Sequence, residues 1–327
     1  MELLRRQFLC LAVGAAAVPV VSWIAWAQAY PSRPIHLIVP YPPGGGTDFF
    51  ARLVSVSMSQ TLGQQVVVEN RPGAGTNIGA EFVAHADADG YVFLLGDTAT
   101  YAANKSLYEK LRYDAERDFA PISLTGRFAI VLLVNTNKLP VGSVTELIAA
   151  AKREPGKIDY ASGGVGNPFH LASEMFGQAA GIKINHVPYR GAGPALQDLV
   201  AGQIGMMFVD FATARGQLNN RQIKAIAVAS PTEFYGLAGV PPVAKDVTGY
   251  EAWAWQGFVA PAKTPTEIIG KLRDAYLKAV NDEDVKKKLI GAGIDPLQST
   301  PQEMAAYVRS ESAKWEKVIK AANLKLE

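Results

Sequence analysis

Two stretches of this chain carry the residue types and spacing to hold an anion without a charged side chain. In Pro40-Tyr41-Pro42-Pro43-Gly44-Gly45-Gly46-Thr47-Asp48, a short β-branched run ends in glycines and then opens an amphipathic helix with Phe49, Phe50, Leu53, Val54 and Val56 on its apolar face. Tyr160-Ala161-Ser162-Gly163-Gly164-Val165-Gly166-Asn167-Pro168-Phe169-His170 repeats the plan, with Asn167 at the N-cap position and Pro168 as the first helical residue. Glycine lets the backbone approach a ligand closely, and a helix start offers unpaired N–H groups at the positive end of its dipole. Alone, the first stretch reads as a tight turn capped by Thr47 or Asp48. The second stretch of the same kind shifts the balance to a pair of facing anion cups. Donors would come from Gly45, Gly46 and Thr47 on one side, in a loop that also carries Tyr41, Pro43 and Asp48, and from Ser162, Gly163, Gly164 and Asn167 on the other. Each hydrogen bond to a charged group contributes roughly 1.5–3 kcal/mol, so several together support micromolar binding, about −8 kcal/mol.

Further loops at the same sheet edge would add selectivity: Arg71-Pro72-Gly73-Ala74-Gly75-Thr76-Asn77, Gly96-Asp97-Thr98-Ala99-Thr100 and Pro188-Tyr189-Arg190-Gly191-Ala192-Gly193-Pro194. They bring Thr76, Asp97, Thr98, Tyr189 and Arg190 into consideration. Arg190 has the fork to grip a carboxylate at two points, although an exposed arginine in a glycine-rich turn is more often solvated. Asp48, Asp97 and Asp210 can accept from a ligand amine or hydroxyl, and capping or turn formation explains the first two equally well.

Catalytic patterns are weaker. There is no G-x-S-x-G around Ser162, no H-E-x-x-H, and no Walker or G-x-G-x-x-G pattern at 44–49. His170 and Glu174 lie four apart on one helical face, but a third metal ligand is not evident, and a packed pair is the commoner outcome. No cofactor is called for, and the single cysteine, Cys10, falls within the leader described next, so later residues have no thiol chemistry.

The elements that must position these loops alternate strand and helix, the mark of a mainly parallel sheet covered on both faces. Strands are predicted at 35–39, 65–69, 91–95, 130–135, 158–161, 184–187, 204–209, 223–229 and 255–260. Capping boxes at Ser143–Glu146, Thr264–Glu267 and Thr300–Glu303 mark helix starts. With no long linker, two domains must be joined by crossing strands, for which 122–135 and 223–230 are the candidates. Residues 30–127 with 230–327 then make one lobe and 128–229 the other, and residues 30–327 are long enough for both.

Residues 1–29 read as an export leader: Arg5-Arg6, an apolar run from Phe8 to Ala27, then small residues with cleavage after Ala27 or Ala29. Arg5-Arg6-Gln7-Phe8-Leu9 fits either a twin-arginine or an ordinary secretory signal. The formal charge of +2 falls to +1 when Glu2, Arg5 and Arg6 leave, a balance that argues against a nucleic-acid partner.

The chain resembles the substrate-binding proteins of tripartite tricarboxylate transporters, the Bug receptors, over nearly all of residues 30–327. The resemblance rests on Tyr30-Pro31-Ser32-Arg33-Pro34-Ile35, Val39 to Asp48, Val68-Glu69-Asn70-Arg71-Pro72-Gly73-Ala74-Gly75, Asp89-Gly90-Tyr91, Val187-Pro188-Tyr189-Arg190-Gly191 and Ala260-Pro261. It implies an α/β type II periplasmic-binding-protein fold, with two α/β lobes joined by two crossing strands and the ligand cleft between them. One carboxylate would meet 43–48, partly through ordered waters, and the other end of the ligand would meet 162–170, His170 included. The function implied is capture of a di- or tricarboxylate or an aromatic carboxylate in the periplasm, by a monomer that presents it to the membrane subunits of a transporter. The segment 234–241 departs from the family pattern, which bears on surface detail. A hydrolase or lyase on the same scaffold, using Ser162, His170 and Asp210, is the alternative.

Overall fold

A computed structural model describes residues 30–326; the leader, with Arg5, Arg6, Cys10 and the expected cleavage points, lies outside the described residues. In chain order the elements are β1 Ile35–Val39, α1 Gly46–Leu62, β2 Val66–Asn70, α2 Asn77–Ala84, β3 Val92–Asp97, α3 Asn104–Leu107, β4 Phe119–Asn135, α4 Val144–Arg153, β5 Asp159–Ser162 and α5 Pro168–Ala180. They continue as β6 Asn185–Pro188, α6 Ala192–Val200, β7 Met206–Asp210, α7 Phe211–Ala214, β8 Ile223–Val228, β9 Trp253–Pro261, α8 Thr266–Asn281, α9 Glu283–Gly291, β10 Ile294–Pro296 and α10 Pro301–Ala321.

The strands form one curled sheet in the order β2-β1-β3-β9-β4-β7-β5-β6, with β8 and β10 also paired to β4. The predicted parallel character holds only in the outer parts, where β1 pairs with β2 and β3, and β5 with β6 and β7. In the middle the pairings are antiparallel, because the chain runs from one lobe into the other and back. The long strand β4 makes the first passage: Phe119 to Ala129 pair with β9, and Ile130 to Asn135 with β7 and β8. The return is made where β9 opens, with the Ala252 amide bonded to Ala229 O at 3.0 Å and Trp253 paired with Ala129. Between them, residues 230–250 stay with β8, through a bridge from Pro242 to Val228 and a hydrogen bond from the Tyr250 hydroxyl to Ala172 O at 2.9 Å.

Each lobe is a sheet between helices. On β9 successive side chains alternate faces. Phe258 therefore meets Phe50, Phe93 and Tyr276 under α1 and α8, while Trp255 stacks on Tyr101 beneath α10. Both indole N–H groups of Trp255 and Trp315 donate to the buried Glu311 carboxylate, at 2.9 and 3.0 Å. The box at Thr300 forms in full, with its reciprocal Glu303 contact; at Ser143 the hydroxyl accepts from the Glu146 amide, but Glu146 Oε2 accepts from the Gly142 amide and not from that of Ser143. The one at Thr264 does not form: α8 starts a residue later with Pro265 at its N-cap, and the Thr264 hydroxyl is buried without a partner among the described residues.

Candidate functional site

The two glycine junctions sit at the carboxyl ends of β1 and β5, where open α/β sheets bind ligands. Helix α5 starts as the sequence predicts, with Asn167 Oδ1 accepting from the Phe169 amide at 2.9 Å and Pro168 next. The turn before it is stitched from within. Ser162 Oγ accepts from the Gly164 amide at 3.1 Å, and His170 Nδ1 accepts from the Gly166 amide at 3.1 Å. Among the described residues, the amides of Gly163 and Val165 keep no intramolecular partner and are free for a ligand. Gly164 and Gly166 have φ of 123° and 78°, conformations that disfavour any side chain.

Helix α1 opens without a side-chain cap: Gly45 holds the N-cap position. Asp48 reaches back to the Gly44 amide at 2.9 Å and is also held by Arg52 and Asn70. Burial raises its pKa, but the bonds from Arg52, Gly44 and Asn70 outweigh that and hold it below the ordinary carboxylate range. Asp48 is thus the brace of the loop. The amides of Gly45, Gly46 and Thr47 are left unpaired among the described residues.

Between the lobes lies a cleft of about 290 Å³. One wall is the turn from Gly163 to Asn167; the other is Tyr41, Gly75, Thr76, Ala99, Asn104 and Tyr108, with Leu326 beside it. Among the described residues that line it, none is charged. A larger hollow of about 410 Å³ around Lys105, Arg112 and Arg117 is a poorer anion site, because those cations already pair with Asp114 and Glu116, Glu81, and Asp118.

The first-lobe wall is tied to Asp97, which accepts from the Tyr41 hydroxyl at 2.5 Å, the Thr100 amide at 3.1 Å and the Thr100 hydroxyl at 3.0 Å. Burial pushes its carboxyl up despite these bonds. The Tyr41 hydroxyl donates its proton to the bond with Asp97 and keeps only acceptor capacity. Thr76 sits at φ 82°, unusual for a β-branched residue, and is held there by Thr100 and by Asn104, whose Nδ2 donates to Gly75 O at 2.7 Å.

Of the other residues singled out from sequence, the structure brings Ser162 against His186, Oγ to Nε2 at 2.6 Å, and stacks His170 on His186 with ring centroids 4.0 Å apart. Thr98 is fully buried and accepts from the Trp255 amide at 3.3 Å. Tyr189 turns its hydroxyl to Asp198 at 2.7 Å, and burial with that contact pushes it up to about 12. Arg190 is exposed, and Pro43 lies on the exposed rim. Asp210 caps α7 by accepting from the Thr213 amide and hydroxyl, both at 2.8 Å, so Ser162, His170 and Asp210 do not form a catalytic set. Gly46 lies against Phe128 on β4, where a Cβ would come 2.8 Å from the ring, and neither it nor Gly45 nor Thr47 lines the cleft. Sequence reasoning missed Asn104, Tyr108 and Leu326. A signal for Asn104 existed, since it follows the loop 96–100 directly.

The imidazoles have a measurable consequence. Burial lowers His170 to about 3, helped by His186, and lowers His186 to about 4. Unfolded histidine titrates near 6.5, so between that value and pH 4 the unfolded chain binds more protons and stability falls as the pH is lowered. His170 contributes a slope of up to about 1.4 kcal/mol per pH unit, and the half-exposed His186 less. Urea unfolding from pH 7 to pH 4 should show that decline; a flat profile would mean the pair is not held neutral.

Residues 50–324 match the family model described as the tripartite tricarboxylate transporter family receptor. Among solved structures, the chain is similar to R. palustris Rpa4515 with adipate: 35% identity, 91% of this chain and 100% of that one, TM-score 0.84. It is similar to the periplasmic binding protein BugD, at 31% identity over 91% of this chain and 100% of that one, TM-score 0.81. MatC (Rpa3494) from Rhodopseudomonas palustris with bound malate shares 31% identity over 89% of this chain and 100% of that one, TM-score 0.79.

Proposed function

The chain belongs to the tripartite tricarboxylate transporter receptor family, and from that premise we propose that it captures a small organic carboxylate between its lobes for the membrane subunits of such a transporter. One observation carries the reading: a cleft between the lobes whose walls offer free backbone amides, hydroxyls and a carboxamide and, among the described residues, no charged side chain. The bound adipate and malate of its structural relatives support the ligand class. The carboxylate sits against the free amides of Gly163 and Val165 in the cleft wall. Tyr41, Thr76 and Asn104 fix its orientation.

The closing bodies are residues 30–127 with 251–326 and residues 128–250, since 230–250 are carried on the second through Val228 and Ala172. Closure is a population shift, and the ligand favours it only by contacts made in the closed state. The receptor acts as a monomer in the periplasm and leaves its ligand unchanged. The hydrolase or lyase alternative loses its footing because Asp210 is committed to a helix cap and Ser162 to the turn.

A thermal-shift screen of mono- and dicarboxylates tests the reading. An acid at a hundred times its Kd should stabilise the fold by about 2.7 kcal/mol. A panel of organic acids producing no shift at millimolar concentration would remove the reading.

A further inference from the structure

Given that a carboxylate occupies the cleft, we propose that Leu326 is a specificity-determining residue, selecting acids with an apolar tail over acids with a second carboxylate. This rests on the receptor reading above. The segment carrying Leu326 runs beside the end of α3 as a short parallel strap. The Leu326 amide donates to Leu107 O at 2.7 Å, the Glu109 amide donates to Leu326 O at 3.4 Å, and Leu326 bridges Tyr108. Extended backbone alternates its side chains, so one neighbour turns out and the next turns in. Lys325 accordingly reaches Glu109 on the surface at 3.7 Å, and Leu326 lines the cleft.

Leu326 gives this end of the cleft an aliphatic side chain. Tyr108 adds its ring, its hydroxyl lying over Gly75 so closely that a Cβ there would come within 2.7 Å of it. Val165 lines the opposing wall, and beside it Gly166 abuts Leu107 across the cleft. A second carboxylate placed here would lose water and meet no cation among the described lining residues, which is costly, whereas methylenes or a ring would bury apolar surface at a gain. Backbone bonds on both sides of Leu326 hold the strap in register, so the position is set by the fold.

Isothermal titration of the wild type, L326A and L326R with butyrate, hexanoate, benzoate, succinate and adipate decides the matter, with thermal melts confirming that each variant is folded. The wild type should bind hexanoate or benzoate more tightly than adipate. L326A should weaken hexanoate three- to tenfold while moving butyrate less than twofold. L326R supplies the missing cation and should raise the adipate-to-hexanoate affinity ratio at least tenfold. If acids bind but L326A weakens all of them by one factor, or L326R leaves their ranking as it was, the role of Leu326 falls and the receptor reading stands. If the wild type binds none of the five, the receptor reading falls and this inference with it.

Discussion

Valine in place of Gly166 should weaken carboxylate binding by roughly a hundredfold, about 2.7 kcal/mol. At φ 78° a side chain is strained, and its Cβ would lie 2.5 Å from Leu107 Cδ1. Leu107 belongs to the first lobe and Gly166 to the second, so the new atoms act as a wedge across the cleft and penalise closure itself. The αL conformation costs a further 1–2 kcal/mol, roughly, in stability, which a melt separates from the loss of affinity. The wedge account makes a sharper demand. Gly166→Ala alone should cost roughly tenfold, and adding Leu107→Ala should recover most of it, because the colliding atom is the far end of one flexible side chain. A double variant as weak as the single one would place the damage in the turn and not in the contact across the cleft.

Asp97→Ala should cost roughly 2–4 kcal/mol of folding stability, since the Tyr41 hydroxyl and both Thr100 donors lose their acceptor in a buried site. Binding should suffer beyond that loss. Tyr41 and Thr76 line the cleft, and both are positioned by groups bonded to Asp97 or to Thr100. Asp97→Asn keeps the shape but replaces one acceptor oxygen by a donor, so its stability loss should be smaller while Tyr41 is still misdirected. Urea midpoints of the three proteins, read beside their affinities, separate the two effects. Equal affinity in all three would show that the Tyr41 wall does not touch the ligand.

Much of the scaffold was legible because its signals are local. The β-branched run of β1 and the Asn167-Pro168 helix start need only neighbouring residues to declare themselves, and the structure has both at the positions read. The full reach of β4 was not legible, since Pro121 and Gly126 interrupt the strand pattern and are absorbed as register shifts against β9. Three-residue β10 is too short to show a period and exists because β4 offers it an edge. The second glycine turn could be found as a cleft wall, whereas Asp48 and Asp210 proved to be braces, a role their positions beside helix starts already allowed. Leu326 and Tyr108 carry no local signature. Their place in the cleft comes from a pairing between distant segments, which only the folded chain displays.

The most direct test is a crystal structure of the protein with a bound acid chosen from the thermal-shift screen. The carboxylate should lie between the lobes, within hydrogen-bonding distance of the Gly163 or Val165 amide and with no lysine or arginine in contact. An acid seated in the hollow beside Arg112, or held in the cleft by a cation such as Arg190, would contradict the account.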